Sequence, residues 1–308
     1  MLNENNFFIP ADVPEKKHDT FIKNYNAITR HKDRLFLFSC DQKMEHLNND
    51  FYGEGINAQA LHPEHFFRIA SSGNVGALAT HLGAIARYGK QYPDINYIVK
   101  LNGTTNLIHQ EQQDPRSTLL WSVEDVVNFK NNNNKIQIAG IGITVYLGSD
   151  YQAEHLAQAA RAIMHAHQEG LVAIVWAYPR GKAIIDDNDP HLTAGAAGVA
   201  FSLGADFAKI KGPESNNVSS LNIAAAAAGN TKIICSGGHK TEPHAYLELV
   251  HNQIHKGDTA GTATGRNIFQ RSLAEGIALT YAIAALVYDN VDVKTSISVF
   301  NDELAKRI

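Results

Sequence analysis

The chain has 308 residues, 44% of them hydrophobic and 19% charged, with 27 Lys and Arg against 31 Asp and Glu for a formal net charge of −4. That composition supplies a sizeable core and excludes disorder as the main state. The mild negative balance leaves no global field for nucleic acid, so a phosphorylated small molecule would need a local positive site.

Residues 1–34 precede any strand signal, and residues 19–29 read as a helix packed across one end of the domain. Eight short β-rich runs follow: residues 35–40, 75–80, 95–101, 136–146, 171–178, 205–211, 231–237 and 258–265. Helical stretches separate them. In residues 152–170, for example, Leu156, Ala160 and Ile163 recur at helical spacing before Gly170 ends the run. The segment 102–135 reads as a long loop ending in an exposed polar turn, Asn131 to Asn134.

The runs are apolar on both faces, as a parallel sheet covered by helices requires. No GxGxxG follows the first run, where Cys40, Asp41, Gln42 and Lys43 stand instead, so a dinucleotide-binding open sheet loses its main support. Eight βα units point to an α/β fold with one (β/α)₈ TIM barrel over residues 35–308, behind an N-terminal extension of residues 1–34.

Cys40 and Cys235 are too few for a disulfide scaffold and fit a reducing cytoplasm. The first residues lack the cationic and apolar regions of a secretory signal. The most apolar stretches, residues 223–229 and 277–288, fall short of the ~20 residues that span a bilayer. A soluble protein without a membrane partner is expected.

Catalytic residues of such a barrel gather where its strands end. The first run ends at Asp41, the third at Lys100, the fifth at Trp176, Tyr178 and Arg180, and the sixth at Lys209 and Lys211. A lysine inside an apolar strand is costly when charged, so burial lowers its pKa toward the free amine that attacks a carbonyl. A salt-bridged or snorkelling lysine is the plainer alternative for Lys209, and Lys211, two residues on, is expected to share its strand face, as nucleophile or electrostatic helper. Ser236, Gly237 and Gly238 follow the seventh run, and Gly265 and Arg266 the eighth, where barrels build phosphate sites from backbone N–H groups. Tyr178 is placed to move a proton, or to line the rim. Asp41 is placed to orient the lysine, or to cap the next helix. The 15 histidines offer permissive pairs, such as His62 with His65 and His251 with His255, but no matching acidic or cysteine partners at strand ends, so no metal is expected. Glu45 and His46 stand at the expected mouth, where a substrate contact is favoured over a metal.

In order, these segments resemble the archaeal-type class I fructose-bisphosphate aldolases, within the wider group that includes deoxyribose-phosphate aldolase and the autoinducer-2 phosphate enzymes. Asp41 to His46 is similar to the group's DHGxEH, Lys100 to Gly103 to KLNG, Trp176 to Gly181 to WxYPRG, and Gly204 to Lys209 to GADxxK. Ser236 to Gly238 and Gly265 to Asn267 complete six segments in matching order. The resemblance implies a Schiff base on Lys209 with no cofactor and no metal, proton transfer by Tyr178, and a catalytic Asp41. It implies substrate and phosphate contacts from Gln42, His46, Lys100, Trp176, Arg180, Lys211, Ser236, Gly237, Gly238, Gly265 and Arg266. A sugar-phosphate substrate and a homo-oligomer, up to a decamer, follow by the same analogy. Two departures bear on substrate choice: Gln42 stands where the group has histidine, and Gly212, Pro213 and Glu214 replace its Tyr-Thr-Gly.

Overall fold

A computed structural model describes residues 8–105, 114–213 and 218–308. Part of the segment read as a long loop (106–113) and Glu214 of the loop after the lysine pair lie outside the described residues.

Among the described residues ten strands form: β1 (Leu35–Ser39), β2 (Ala77–His81), β3 (Tyr97–Lys100), β4 (Asn102–Gly103), β5 (Thr118–Leu119), β6 (Ile138–Leu147), β7 (Val172–Pro179), β8 (Phe207–Ile210), β9 (Lys232–Ser236) and β10 (Gly261–Thr264). Eight close into a parallel barrel in the order β1, β2, β3, β6, β7, β8, β9, β10, and β10 pairs back onto β1 through Leu35 to Gly261 and Phe38 to Thr264. The expected (β/α)₈ barrel is what the chain forms. Strands β4 and β5 make a separate antiparallel pair.

The doubly apolar strands serve two packing layers. Phe36, Phe38, Leu78, Val99, Ile141, Val175 and Ala208 face the surrounding helices, whereas Leu37, Ala79, Ile98, Ile174 and Phe207 fill the interior. The helix His18–Thr29 closes the interior from one end: Phe21, Tyr25 and Ile28 are buried against Leu35, Ala77, Ala139 and Val172. His167 pins this region, its Nδ1 2.8 Å from Asp12 and its Nε2 3.2 Å from Asp206.

Two expectations are corrected. Residues 123–132, read as loop, form the helix Val123–Asn132, started by a reciprocal cap between Ser122 and Asp125, so Asn131 and Asn132 are a polar last turn. In the helix Gln152–Gln168 the buried stripe is His155, Ala159, Ala162, Ile163 and Ala166, and Ala160 faces outward. A buried histidine in the stripe disguised its register. Among the described residues, no helix is long and apolar enough to cross a membrane.

Candidate active site

At the end of the barrel opposite the helix His18–Thr29, the strand ends surround a cavity of about 510 Å³. Of the predicted site residues, Asp41, Gln42, His46, Trp176, Tyr178, Arg180, Lys209, Lys211, Ser236, Gly237, Gly238, Gly265 and Arg266 all line it. Lys100 does not. It is wholly buried in the barrel interior, its Nζ 3.4 Å from Glu45, 3.9 Å from Asp41 and donating to the Asn102 carbonyl at 3.0 Å. In this structure it is an internal cation paired with two cavity carboxylates.

Register sets the floor of the cavity. Thr144, Trp176 and Lys209 are successive partners across β6, β7 and β8. The Lys209 amine donates to Ser39 Oγ at 3.1 Å and lies 5.1 Å from the Trp176 ring. Burial brings its pKa down to about 8; Asp41 opposes the shift and Lys100 reinforces it. Near neutrality a useful fraction of this amine is therefore an unprotonated nucleophile. Asp41 is as deeply enclosed. Burial works to raise its carboxyl, but the Lys209 and Lys100 cations outweigh that and hold it below the usual range. Asp41 makes no side-chain cap to the helix Gln42–Glu45, so the helix-capping alternative fails and the carboxylate serves the lysines.

The two candidate lysines are separated rather than side by side. Strand β8 ends at Ile210, and Lys211 leaves the barrel wall to pair with Asp187 at 2.8 Å, partly exposed at the rim. Of the two, Lys209 is the one whose buried amine faces the floor.

Tyr178 caps the same wall two residues beyond Trp176. Burial, then the Asp41 and Glu45 carboxylates, push its phenol well above the ordinary value, so it is a proton donor at neutral pH. Arg180 reaches over the ring of Tyr146, 5.8 Å from its centroid.

On the opposite side, the loops after β9 and β10 are tied together by Asn267, whose amide donates to the Gly237 and His239 carbonyls at 2.7 and 2.8 Å and whose oxygen accepts from the Thr241 N–H at 2.9 Å. Gly238 has φ +65°, a turn that suits glycine. At Gly265 a Cβ would come within 2.7 Å of the Ser39 carbonyl, so only glycine lets the β10 loop approach β1. Arg266 then points along the cavity wall, 3.1 Å from His239 and 3.7 Å from Asp50. Backbone turns with an arginine in this arrangement are suited to a phosphate group. His46 pairs with Asp50 at 2.7 Å at the rim.

Sequence reasoning passed over Tyr146, and it read Glu45, with His46, as a substrate contact at the mouth without a partner inside the protein. Both line the cavity, and the Tyr146 hydroxyl donates to Glu45 Oε2 at 3.2 Å. The signals were present: Tyr146 ends the fourth barrel strand and Glu45 precedes His46. Among the described residues, no group of three or more His, Cys, Asp or Glu is placed to hold a metal ion.

Several known proteins are similar to this chain. A fructose-bisphosphate aldolase/6-deoxy-5-ketofructose 1-phosphate synthase of Methanocaldococcus jannaschii is 43% identical over 300 residues, covering 97% of this chain and 96% of its own. A class 1 fructose-bisphosphate aldolase of Halobacterium salinarum is 33% identical over 84% of this chain and 92% of its own. Among solved structures, a fructose-bisphosphate aldolase from Slackia heliotrinireducens superposes with a TM-score of 0.93 at 46% identity, covering 97% and 95% of the two chains. An archaeal fructose-1,6-bisphosphate aldolase with its catalytic lysine covalently bound to the carbinolamine intermediate of the substrate gives a TM-score of 0.73 at 27% identity, over 87% of this chain and 99% of that one. The profile of the DeoC/LacD family aldolases matches residues 35–271, from the first barrel strand to the helical turn after the last, and the chain belongs to that family.

Proposed function

We propose that the chain is a class I fructose-bisphosphate aldolase, which cleaves fructose 1,6-bisphosphate reversibly to dihydroxyacetone phosphate and glyceraldehyde 3-phosphate without a metal. The observation that carries the reading is the Lys209 amine, buried, lowered to about 8 and facing a cavity whose other wall holds the loops at Gly237 and Gly265. The names borne by the relatives from Methanocaldococcus jannaschii and Halobacterium salinarum support it.

In this mechanism neutral Lys209 attacks the C2 ketone, and a carbinolamine forms and loses water. The protonated imine is the electron sink for the bond pair when C3–C4 breaks, and Asp41 stays ionised as its counter-ion. Glyceraldehyde 3-phosphate leaves, Tyr178 protonates the enamine at C3, and hydrolysis frees dihydroxyacetone phosphate. The loops after β9 and β10 hold the C1 phosphate and fix C2 against Lys209, so that orientation supplies part of the rate. Arg180 and Lys211 serve the phosphate at the other end, and Gln42, His46 and Trp176 contact the sugar. The same proposal sets the enzyme in the cytoplasm, in glycolysis or gluconeogenesis, as a homo-oligomer of up to ten subunits.

Borohydride reduction with dihydroxyacetone phosphate tests it. The expected result is a mass adduct on Lys209. No adduct, or activity abolished by chelators, overturns the mechanism.

A second reading is kept for the substrate. The Methanocaldococcus jannaschii relative carries a second, 6-deoxy-5-ketofructose 1-phosphate synthase name, and Gln42 stands in the cavity wall where the resembled group has histidine. A panel of ketose phosphates that includes 6-deoxy-ketohexose, deoxyribose and autoinducer-2 phosphates separates the substrates by kcat/KM. Binding without trapping on Lys209 would favour a noncatalytic sugar-phosphate sensor.

A further inference from the structure

Aldol cleavage moves two protons at different atoms: the C4 hydroxyl loses one as C3–C4 breaks, and C3 gains one afterwards. Tyr178 accounts for the second transfer alone. The barrel order indicates where the first occurs. The phosphate loops follow β9 and β10, Lys209 lies on β8, Tyr178 on β7 and Tyr146 on β6, in that sequence around the mouth. A ketose with its C1 phosphate in the loops and C2 on Lys209 therefore carries C3 past β7 and C4 toward β6.

Tyr146 stands there. It is the direct register partner of Tyr178, it lines the cavity, and only 4% of it is exposed. Its hydroxyl donates to Glu45 Oε2 at 3.2 Å, and Glu45 Oε1 lies 3.4 Å from Lys100. The other acid–base groups on the wall are committed elsewhere. Asp41 faces the positive charge that Lys209 retains as a protonated imine, and His46 is paired with Asp50 at the rim. The Arg180 guanidinium, 5.8 Å from the Tyr146 ring centroid, favours negative charge developing on that phenol.

Resting on the Schiff-base reading above, we infer that Tyr146 takes the C4 hydroxyl proton during cleavage while passing its own proton to Glu45. The C4–O bond becomes a carbonyl, the C3–C4 pair moves into the imine to give the enamine, and the proton resides on Glu45 Oε2. Tyr178 then gives its proton to C3. The proton gained at Glu45 and the one lost from Tyr178 balance over a turnover through solvent in the mouth. Tyr146 is thus a second catalytic tyrosine and Glu45 its positioning residue.

The two proton transfers are measured separately. Cleavage of fructose 1,6-bisphosphate needs both, whereas solvent deuterium exchange at the hydroxymethyl carbon of dihydroxyacetone phosphate needs only Lys209 and Tyr178. Tyr146→Phe should slow cleavage by about a hundredfold or more. It should leave exchange and borohydride trapping near wild type. Glu45→Gln should slow cleavage with exchange preserved, and Glu45→Asp should recover part of the cleavage rate. Unimpaired cleavage in Tyr146→Phe overturns the inference, as does exchange that falls in step with cleavage. Absence of trapping in the wild-type enzyme is a different failure, that of the Schiff-base reading itself.

Discussion

Lys100 and Lys209 face the same indole: their amines lie 5.6 and 5.1 Å from the Trp176 ring, and Asp41 is the carboxylate common to both. One lysine is wholly enclosed and ion-paired, and the other opens to the cavity. The enclosed cation therefore adds to burial in disfavouring a proton on Lys209.

From this follows a pH dependence. Lys209 becomes neutral as pH rises through about 8, so the rate of imine formation rises through that value. In Lys100→Met a repelling cation is lost and Asp41 and Glu45 are left to hold a proton on Lys209. Both changes raise its pKa, and the acid limb of the kcat/KM profile should move above 8. An unmoved limb removes Lys100 from this role.

Tyr178→Phe should leave trapping on Lys209 nearly intact and cut turnover by about 10²-fold or more. The side chain sits beside Arg180 and Arg266 without shaping the floor where the imine forms. Rapid-quench measurement of adduct against product tests this, and unchanged turnover refutes the assignment.

Arg266→Ala should raise KM for phosphorylated ketoses by roughly ten- to a hundredfold, the worth of a charged hydrogen bond. Trapping of unphosphorylated dihydroxyacetone, which has nothing for Arg266 to hold, should be unchanged. A parallel loss with both ligands would mean that the variant disturbs the loops after β9 and β10 instead.

The Asp12, His167 and Asp206 cluster makes a stability prediction. Burial lowers the His167 pKa, but Asp206 and Asp12 overcome it and bring the pKa up to about 10. A folded pKa above the unfolded ~6.5 gives stabilisation that is complete below about 6.5 and declines as pH rises toward 10. His167→Ala should cost on the order of 3 kcal/mol at pH 6 because it leaves the buried Asp206 carboxylate without its cationic partner, with the Ala173 N–H still bound to it, and less at pH 10. Urea denaturation of both proteins at the two pH values tests this; equal losses would show that packing, not charge, is at stake.

How far the sequence spoke for itself differs from element to element. The barrel strands were legible because parallel, doubly covered strands are apolar on both faces, and the residue where each run turns polar marks the mouth. That put Lys209, Tyr178 and the glycine loops at the mouth, where they line the cavity. It misplaced Lys100, because a buried lysine and a cavity lysine look alike until the partners Glu45 and Asp41, more than fifty residues away in the chain, are folded against it. Lys211 deceived for a related reason: period-two alternation assumes that the strand continues, and β8 stops at Ile210. The helix Val123–Asn132 was hidden by its asparagine-rich end, although Ser122 and Asp125 stood at capping-box spacing. Tyr146 read as one more apolar strand residue, since only tertiary structure brings Glu45 to its hydroxyl.

Among the described residues, the helix His18–Thr29 seals the far end of the barrel, and the chamber opens at the opposite end, where the strands stop. In the proposed mechanism the ketone half is held covalently on Lys209 at its floor, so the aldehyde half of the cleaved sugar is the half free to leave. Traffic is then last in, first out: glyceraldehyde 3-phosphate must clear the passage before dihydroxyacetone phosphate, and in the condensing direction the order of entry reverses. The order of substrates and products thus follows from which half the floor lysine holds.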